Sequence, residues 1–364
     1  MVTSRNTALD HVKAVACLVI VCHHLAFYGP MSDVLRPLWP GLLGWLDEYG
    51  RMAVQLFLVL GGYWAAAALA PQGQARHADI GPVLGKRFVR LCLPYSAALA
   101  CAIVVNEVVR SWGFDHDSVS ATPTWDAVLA HLLLVQSLGD WEALSAGVWY
   151  VAIDFQLYAL CLVWLWCSRR LPRWPALGQT GLVLATAASL WVWNLDSSLD
   201  VWALYFLGAY GLGMMAWWAT HKPHPWQRWG WVALMLLLTG SALLLEWRTR
   251  IAIAGVTALA LVLQGLWLPA GRWPQWPLLT WMGQRSYAIF LIHFPTSLLV
   301  NALVTLHWPQ SVTANALGLL AAVLLSVLAG AQLFRWTEQA TPTWQLWRNW
   351  QLGVLATGWV AATL

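Results

Sequence analysis

Charge is what this chain has least of. Only 10% of its 364 residues are Asp, Glu, Lys or Arg, where soluble domains carry about a quarter. No polar interval is long enough to build a separate soluble domain, so none is expected. Its six cysteines, Cys17, Cys22, Cys92, Cys101, Cys161 and Cys167, fall inside apolar runs, with no Cys-x-x-Cys pair and no metal-ligand spacing. A disulfide framework and a thiolate metal centre are excluded, and the thiols read as small apolar groups. The formal net charge is +4 without any basic tract. Nucleic acid is therefore not an expected partner, and the excess implies only a mild pull toward anionic lipid.

What fills the chain instead is apolar sequence. Hydrophobic residues make up 60% of it and the mean hydropathy is +0.59, which makes it an integral membrane protein whose partner is the lipid bilayer. Runs of about 17 to 25 residues suffice to cross a bilayer. They read at 14–27, 51–70, 88–109, 147–167, 176–194, 201–219, 228–246, 250–268, 286–306 and 314–335. The first is not a cleavable signal peptide, because Asp10, His11 and Lys13 occupy its near end and no small-residue cleavage pattern follows His24. The expected fold is all-α, a polytopic transmembrane helical bundle of about ten spans. Residues 1–340 form the membrane domain, and 341–364 an apolar tail. Leu352 to Leu364 is too short to span and is expected in the interface or against the bundle.

Basic residues assign the orientation. Arg5 and Lys13 precede the first span, and alternate connections gather Arg76, Lys86, Arg87 and Arg90, then Arg169, Arg170 and Arg173, Lys222 and Arg228, Arg272 and Arg285, and Arg335 and Arg348. The other connections collect Asp115, Asp117, Asp126, Asp140, Glu142, Asp196 and Asp200. An excess of Lys and Arg marks the cytoplasmic side, so the chain is expected to run N-in and C-in. Arg36, Arg51, Arg248 and Arg250 are exceptions. Many of the 29 tryptophans, such as Trp217, Trp218, Trp226, Trp229 and Trp231, cluster near span ends, where the indole anchors at the headgroups. Two outside connections exceed what the bundle needs: 29–50, with Pro30, Pro37 and Pro40, and 111–146, with the apolar stretch His131 to Val135. Long ordered loops tend to serve as binding surfaces, so an outside acceptor would dock there.

Ionisable residues within spans are costly and mark chemistry. His23 and His24 sit side by side in the first span. Lys13 opens the same span eleven positions earlier, which is about 16 Å along a helix and within about 20° of the same face as His24. His23 looks elsewhere. Arg87 and Arg90, with Lys86 beside them, share a helix face at the third span's cytoplasmic mouth, where two guanidinium forks suit a phosphorylated ligand. In the span opening Trp149-Tyr150, Asp154 requires a basic or histidine partner on a neighbouring helix. Ser286-Tyr287 leads to a further intramembrane histidine, His293.

These stretches recur together. Leu9-Asp10-His11-Val12-Lys13 with His24, Phe57 to Tyr63 (FLVLGGY), Arg87-x-x-Arg90, Trp149-Tyr150 with Asp154, and Ser286-Tyr287 to His293 resemble, in order and spacing over about residues 5–335, the acyltransferase 3 family of multi-span glycan O-acyltransferases. The resemblance implies transfer of an acyl group, usually acetyl, from cytoplasmic acyl-CoA to a hydroxyl of an extracytoplasmic or lipid-linked carbohydrate at a bacterial inner membrane. It maps the family's essential first-span pair onto Lys13 and His24, and its acyl-CoA phosphate contacts onto Arg87 and Arg90, with Lys86, Tyr150, Ser286 and Tyr287 as further cofactor-side candidates and Asp154 and His293 as further catalytic ones. The chain departs from the pattern at Lys13, commonly arginine; at Gly61-Gly62-Tyr63, commonly Ser-Gly-Phe; and at Val151 and Asp154, commonly leucine and glutamate. No esterase-like domain is expected after the bundle, so a periplasmic partner or the bundle itself is expected to complete any handover.

A neutral imidazole can take a sugar hydroxyl's proton as it attacks a thioester, so His24 is expected as general base. An acyl-histidine intermediate on His24 is the alternative route. The rival class is a secondary transporter or flippase using His24, Asp154 and His293 as a proton relay.

Overall fold

The computed structural model describes residues 6–171, 173–267, 273–339 and 341–363. Arg5 and Arg272, expected among the inside charges, lie outside the described residues. The chain runs α1 (Thr7–Phe27), α2 (Met31–Leu35), α3 (Pro40–Tyr49), α4 (Val54–Leu69), α5 (Gly81–Ser111), α6 (Trp125–Leu132), α7 (Val148–Arg169), α8 (Leu177–Trp191), α9 (Ala203–Thr220), α10 (Pro225–Leu245), α11 (Thr249–Trp267), α12 (Pro277–Gln284), α13 (Ser286–His307), α14 (Val312–Thr337) and α15 (Trp344–Thr363). No strand occurs among the described residues. Backbone groups in lipid have no water to bond, and helices satisfy them internally.

Among the described residues eight stretches are long and apolar enough to cross a membrane: α1, Pro40–Leu69, α5, α7, α10, Thr249–Leu266, α13 and α14. The two other expected spans are α8, with 15 residues, and α9, with 18. The tail is longer than its apolar run alone. It forms the 20-residue α15, whose Trp347 meets Phe88, whose Gln351 donates to Ser96 Oγ, and whose Gly358 abuts Val128 on α6.

The chain forms two compact units. The first contains Val54–Arg87 and Ile153–Pro274. Its centre is α9, buried along nearly all its length. Close approach there depends on glycine, because a Cβ on Gly62 would collide with the Tyr210 carbonyl and one on Gly213 with the Val59 carbonyl. Small residues let helix backbones meet where lipid supplies no hydrophobic drive.

The second unit contains Thr7–Ala53, Phe88–Ala152 and Gln275–Leu364. Three contacts share one sequence offset: His11 with Thr280, Cys17 with the Ser286 carbonyl, and His24 with His293 are each 269 residues apart. A constant offset means that α12 and α13 run parallel to α1 in fixed register. Gly283 permits this, since a Cβ there would strike the Asp10 backbone. On α14, Gly318, Ala322, Ser326 and Gly330 recur every four residues, all buried. This small ridge admits α13, with Gly330 against the Ile289 backbone and Ser326 Oγ 3.5 Å from the His293 carbonyl.

Candidate active site

In the second unit the α1–α13 register aligns two histidines. His24 Nδ1 lies 2.6 Å from His293 Nε2, and the ring planes differ by only 5°. Of the 4.9 Å between ring centres, 2.6 Å is the N···N contact, which leaves 2.3 Å for the two ring radii together. The rings therefore meet edge to edge in one plane, the geometry of an in-line hydrogen bond.

The proton positions follow from the next partner. His293 Nδ1 is 2.6 Å from the Phe290 carbonyl, and a carbonyl only accepts, so His293 carries its proton on Nδ1. In the neutral ring Nε2 is then a bare acceptor. His24 must donate from Nδ1, which leaves the lone pair of His24 on Nε2. Among the described residues no hydrogen-bond partner takes that nitrogen. His293 is fully buried while His24 is half-buried. A carbonyl–histidine–histidine chain thus fixes one tautomer, as carboxylates and carbonyls do for metal-bound imidazoles. Tyr28 and Phe294 enclose His24 with ring centres 5.7 and 6.1 Å away.

His23 is differently occupied. It is buried, its Nδ1 donates to the Leu46 carbonyl at 2.9 Å, and Gly50 packs against its Cβ. It fastens α1 to α3.

At the other end of α1, Lys13 is half-buried and pairs with Asp10 at 2.7 Å. Glu338, which closes α14, stands in the same electrostatic neighbourhood. Burial holds its carboxyl at about 7 against the pull of Arg90 and then Lys13. Its Oε1 is buried without a hydrogen-bond partner among the described residues. The sequence reading did not single out Glu338. Its signal was available, as an acid at the mouth of a span among inside arginines.

The remaining candidates are dispersed. Ser286 Oγ donates to the Gly283 carbonyl, and Tyr287 OH to the Leu91 carbonyl at 2.9 Å, so both hold α13 at its start. Tyr150 sets its ring edge-on to Phe290 at 5.4 Å. Lys86 is exposed. In the first unit, Asp154 accepts from Arg87 at 2.5 Å, with the guanidinium 5.0 Å from the Tyr158 ring. A Cβ on Gly61 would crowd the Asp154 carboxylate. The basic partner that Asp154 required is Arg87.

No curated protein and no solved structure matches the chain. The acyltransferase-domain model matches residues 6–336, and the chain is accordingly a membrane-embedded member of the acyltransferase 3 family.

Proposed function

We propose that this membrane acyltransferase moves an acyl group, acetyl in the first instance, from cytoplasmic acyl-CoA to a hydroxyl of an extracytoplasmic or lipid-linked carbohydrate in the bacterial inner membrane. The observation that carries the reading is the His24–His293–Phe290 chain, which leaves one basic nitrogen at a defined place.

The chemistry then balances without a further reagent. The acceptor oxygen attacks the thioester carbonyl while its proton passes to His24 Nε2. The tetrahedral adduct collapses, the C–S bond breaks, and the imidazolium returns that proton to the departing thiolate. A base so placed contributes about 10²- to 10⁴-fold, and positioning of two bound reactants supplies much of the remainder. The imidazolium shares its Nδ1 proton with His293, which steadies the charge as it forms.

The donor end is read from the cations. Lys13 lies on the face of α1 that carries His24, about 16 Å away, a separation that suits a pantetheine-like arm between phosphates and thioester. Arg90 on α5 suits the phosphates, whereas the guanidinium of Arg87, the other arginine assigned to them, is held by Asp154. Lys86, exposed on the same helix, is a further candidate for the phosphates. The transporter reading is weakened by the Arg87–Asp154 pair, which engages the carboxylate that a relay would need free.

The test is acyl transfer in membranes that contain the full-length protein. His24→Ala should abolish transfer from radiolabelled acetyl-CoA to surface glycans in membranes, while His23→Ala keeps a measurable fraction. The reverse ranking would sink the assignment.

A further inference from the structure

We propose that Ser297, Asn301 and Thr305 form a hydroxyl-binding track on α13 that conducts a polyhydroxylated acceptor, a carbohydrate, to the His24–His293 pair. The direction of travel rests on the function proposed above. The track itself rests on geometry.

His293, Ser297, Asn301 and Thr305 recur every four residues, so they form one inclined ridge along α13, each step turned by about 40° from the last. Twelve residues cover about 18 Å, from the histidine pair to the far end of α13. Ser297 and Asn301 are only 4% and 3% exposed. Even so, Ser297 Oγ, Asn301 Oδ1 and Thr305 Oγ1 are buried without a hydrogen-bond partner among the described residues. Buried polar groups are nearly always hydrogen-bonded, so three open oxygens on one ridge call for a partner.

Several comparable side chains in this protein avoid that state by bonding their own helix. Thr296 donates to the Ile292 carbonyl, Ser326 to Ala322 and Thr337 to Leu333, while Asn106 bonds Ala102 and Asn315 bonds Ser311. The three residues of the track do not. Their neighbours Leu298 and Ala302 seal an apolar cluster with Val109 and Phe114, so the polar ridge runs beside an apolar one.

A second pair of open oxygens lies in the connection that meets α13 at the inner end of this ridge. The connection between α6 and α7 contributes Gln136 Oε1 and Ser145 Oγ, also buried and unpartnered among the described residues. That connection reaches α13 at Gly147, where a Cβ would meet Phe290 one turn before His293. The long outside segment thus descends to the base.

The inventory of atoms selects the ligand. Hydroxyls donate to amide oxygens and both donate to and accept from Ser and Thr, so a sugar satisfies every open position. An anion would face Asn301 Oδ1 and Gln136 Oε1, both acceptors. A cation would find no carboxylate on the strip, and an alkyl chain would leave each oxygen unpaired.

The test uses the full-length protein in lipid nanodiscs, where reagent reaches both faces. Single cysteines replace Ser297, Asn301 and Thr305, with Leu298→Cys and Ala302→Cys as apolar controls and wild type as the baseline for the native thiols. A cationic methanethiosulfonate is added with or without methyl β-D-glucopyranoside, against betaine as osmotic control. A thiol held in apolar surroundings stays protonated and reacts slowly, so the track cysteines should label about tenfold faster than the controls. Occupancy of the track by the glucoside should slow them about twofold or more, with no such effect of betaine. Equal rates at track and control positions would overturn the proposal. Fast labelling that the glucoside does not slow would overturn it too, since the strip would then be wet but without affinity for sugar. If Asn301→Cys fails to assemble, the near-isosteric Ser297→Cys and the half-buried Thr305→Cys carry the measurement. Repeating it in His24→Ala separates the outcomes, because track labelling and protection persist there whether or not His24 is the base.

Discussion

A histidine becomes a base at a defined atom only when something fixes where its proton sits. Here that something is the Phe290 carbonyl, acting through His293. A buried histidine bonded to a carbonyl one turn back would ordinarily be a core residue, and the sequence offers no hint that it meets His24, because that depends on the α1–α13 register. His293→Gln presents an amide oxygen to His24 Nδ1 and should retain part of kcat, whereas His293→Leu frees the ring to adopt the wrong tautomer and should lower kcat by about 10²-fold or more at little change in donor KM. Equal activity of the two variants would mean that His293 only fills space. Glu338 makes the second prediction at this scale. Its carboxyl stands at about 7 rather than the ordinary 4.5, so the native state holds the extra proton between those values. The stabilisation is full below 4.5 and is lost as pH rises through 7. Once ionised, Glu338 competes with phosphates for Arg90 and Lys13. The acyl-CoA KM should therefore rise between about pH 6 and about pH 8, and Glu338→Gln should flatten that rise; an unchanged slope in Glu338→Gln would remove Glu338 from the donor end.

At the scale of elements, helix positions were legible because an apolar run declares its own length. The ten expected spans coincide with α1, Pro40–Leu69, α5, α7 to α11, α13 and α14. What was not legible was how closely the helices pack. The glycines of FLVLGGY look like a motif in the sequence, and in the structure Gly62 is the point where α4 meets the backbone of α9. The track on α13 is the reverse case. Its four-residue period could have been read in His293, Ser297, Asn301 and Thr305, but small polar residues in spans usually bond their own helix, and only the structure separates those that do from those that do not. Gly62→Ala forces a backbone shift and should cost about 1 to 3 kcal/mol, as overpacking does. Gly240→Ala on α10 meets nothing within 4 Å, and by removing a helix-interior glycine it should be neutral or gain up to about 1 kcal/mol. Thermal unfolding followed by fluorescence-detected gel filtration ranks the two, and a ranking in the other order would mean that the α4–α9 contact is not tight.

At the scale of the whole molecule, the distribution of basic residues gives one orientation, and two of its exceptions have structural employment. Arg36 donates to the Ala26 carbonyl at the end of α1 and to Asp47. Arg248, 6% exposed, donates to the Leu190 and Ala242 carbonyls and to Asn194. Both bond carbonyls in the last turns of helices, so both are held by the fold rather than left as free loop charges of the kind that orients a span. Discounting them strengthens the asymmetry and puts the loop between α4 and α5 on the cytoplasmic side and that between α5 and α6 on the outer side. Gln74 and Asp117 are exposed in these two loops. In intact cells a membrane-impermeant maleimide should label Asp117→Cys above the wild-type background and leave Gln74→Cys unlabelled until the membrane is opened. The opposite pattern would turn the molecule over, and would place Lys13, Arg90 and Glu338 on the side that holds no acyl-CoA.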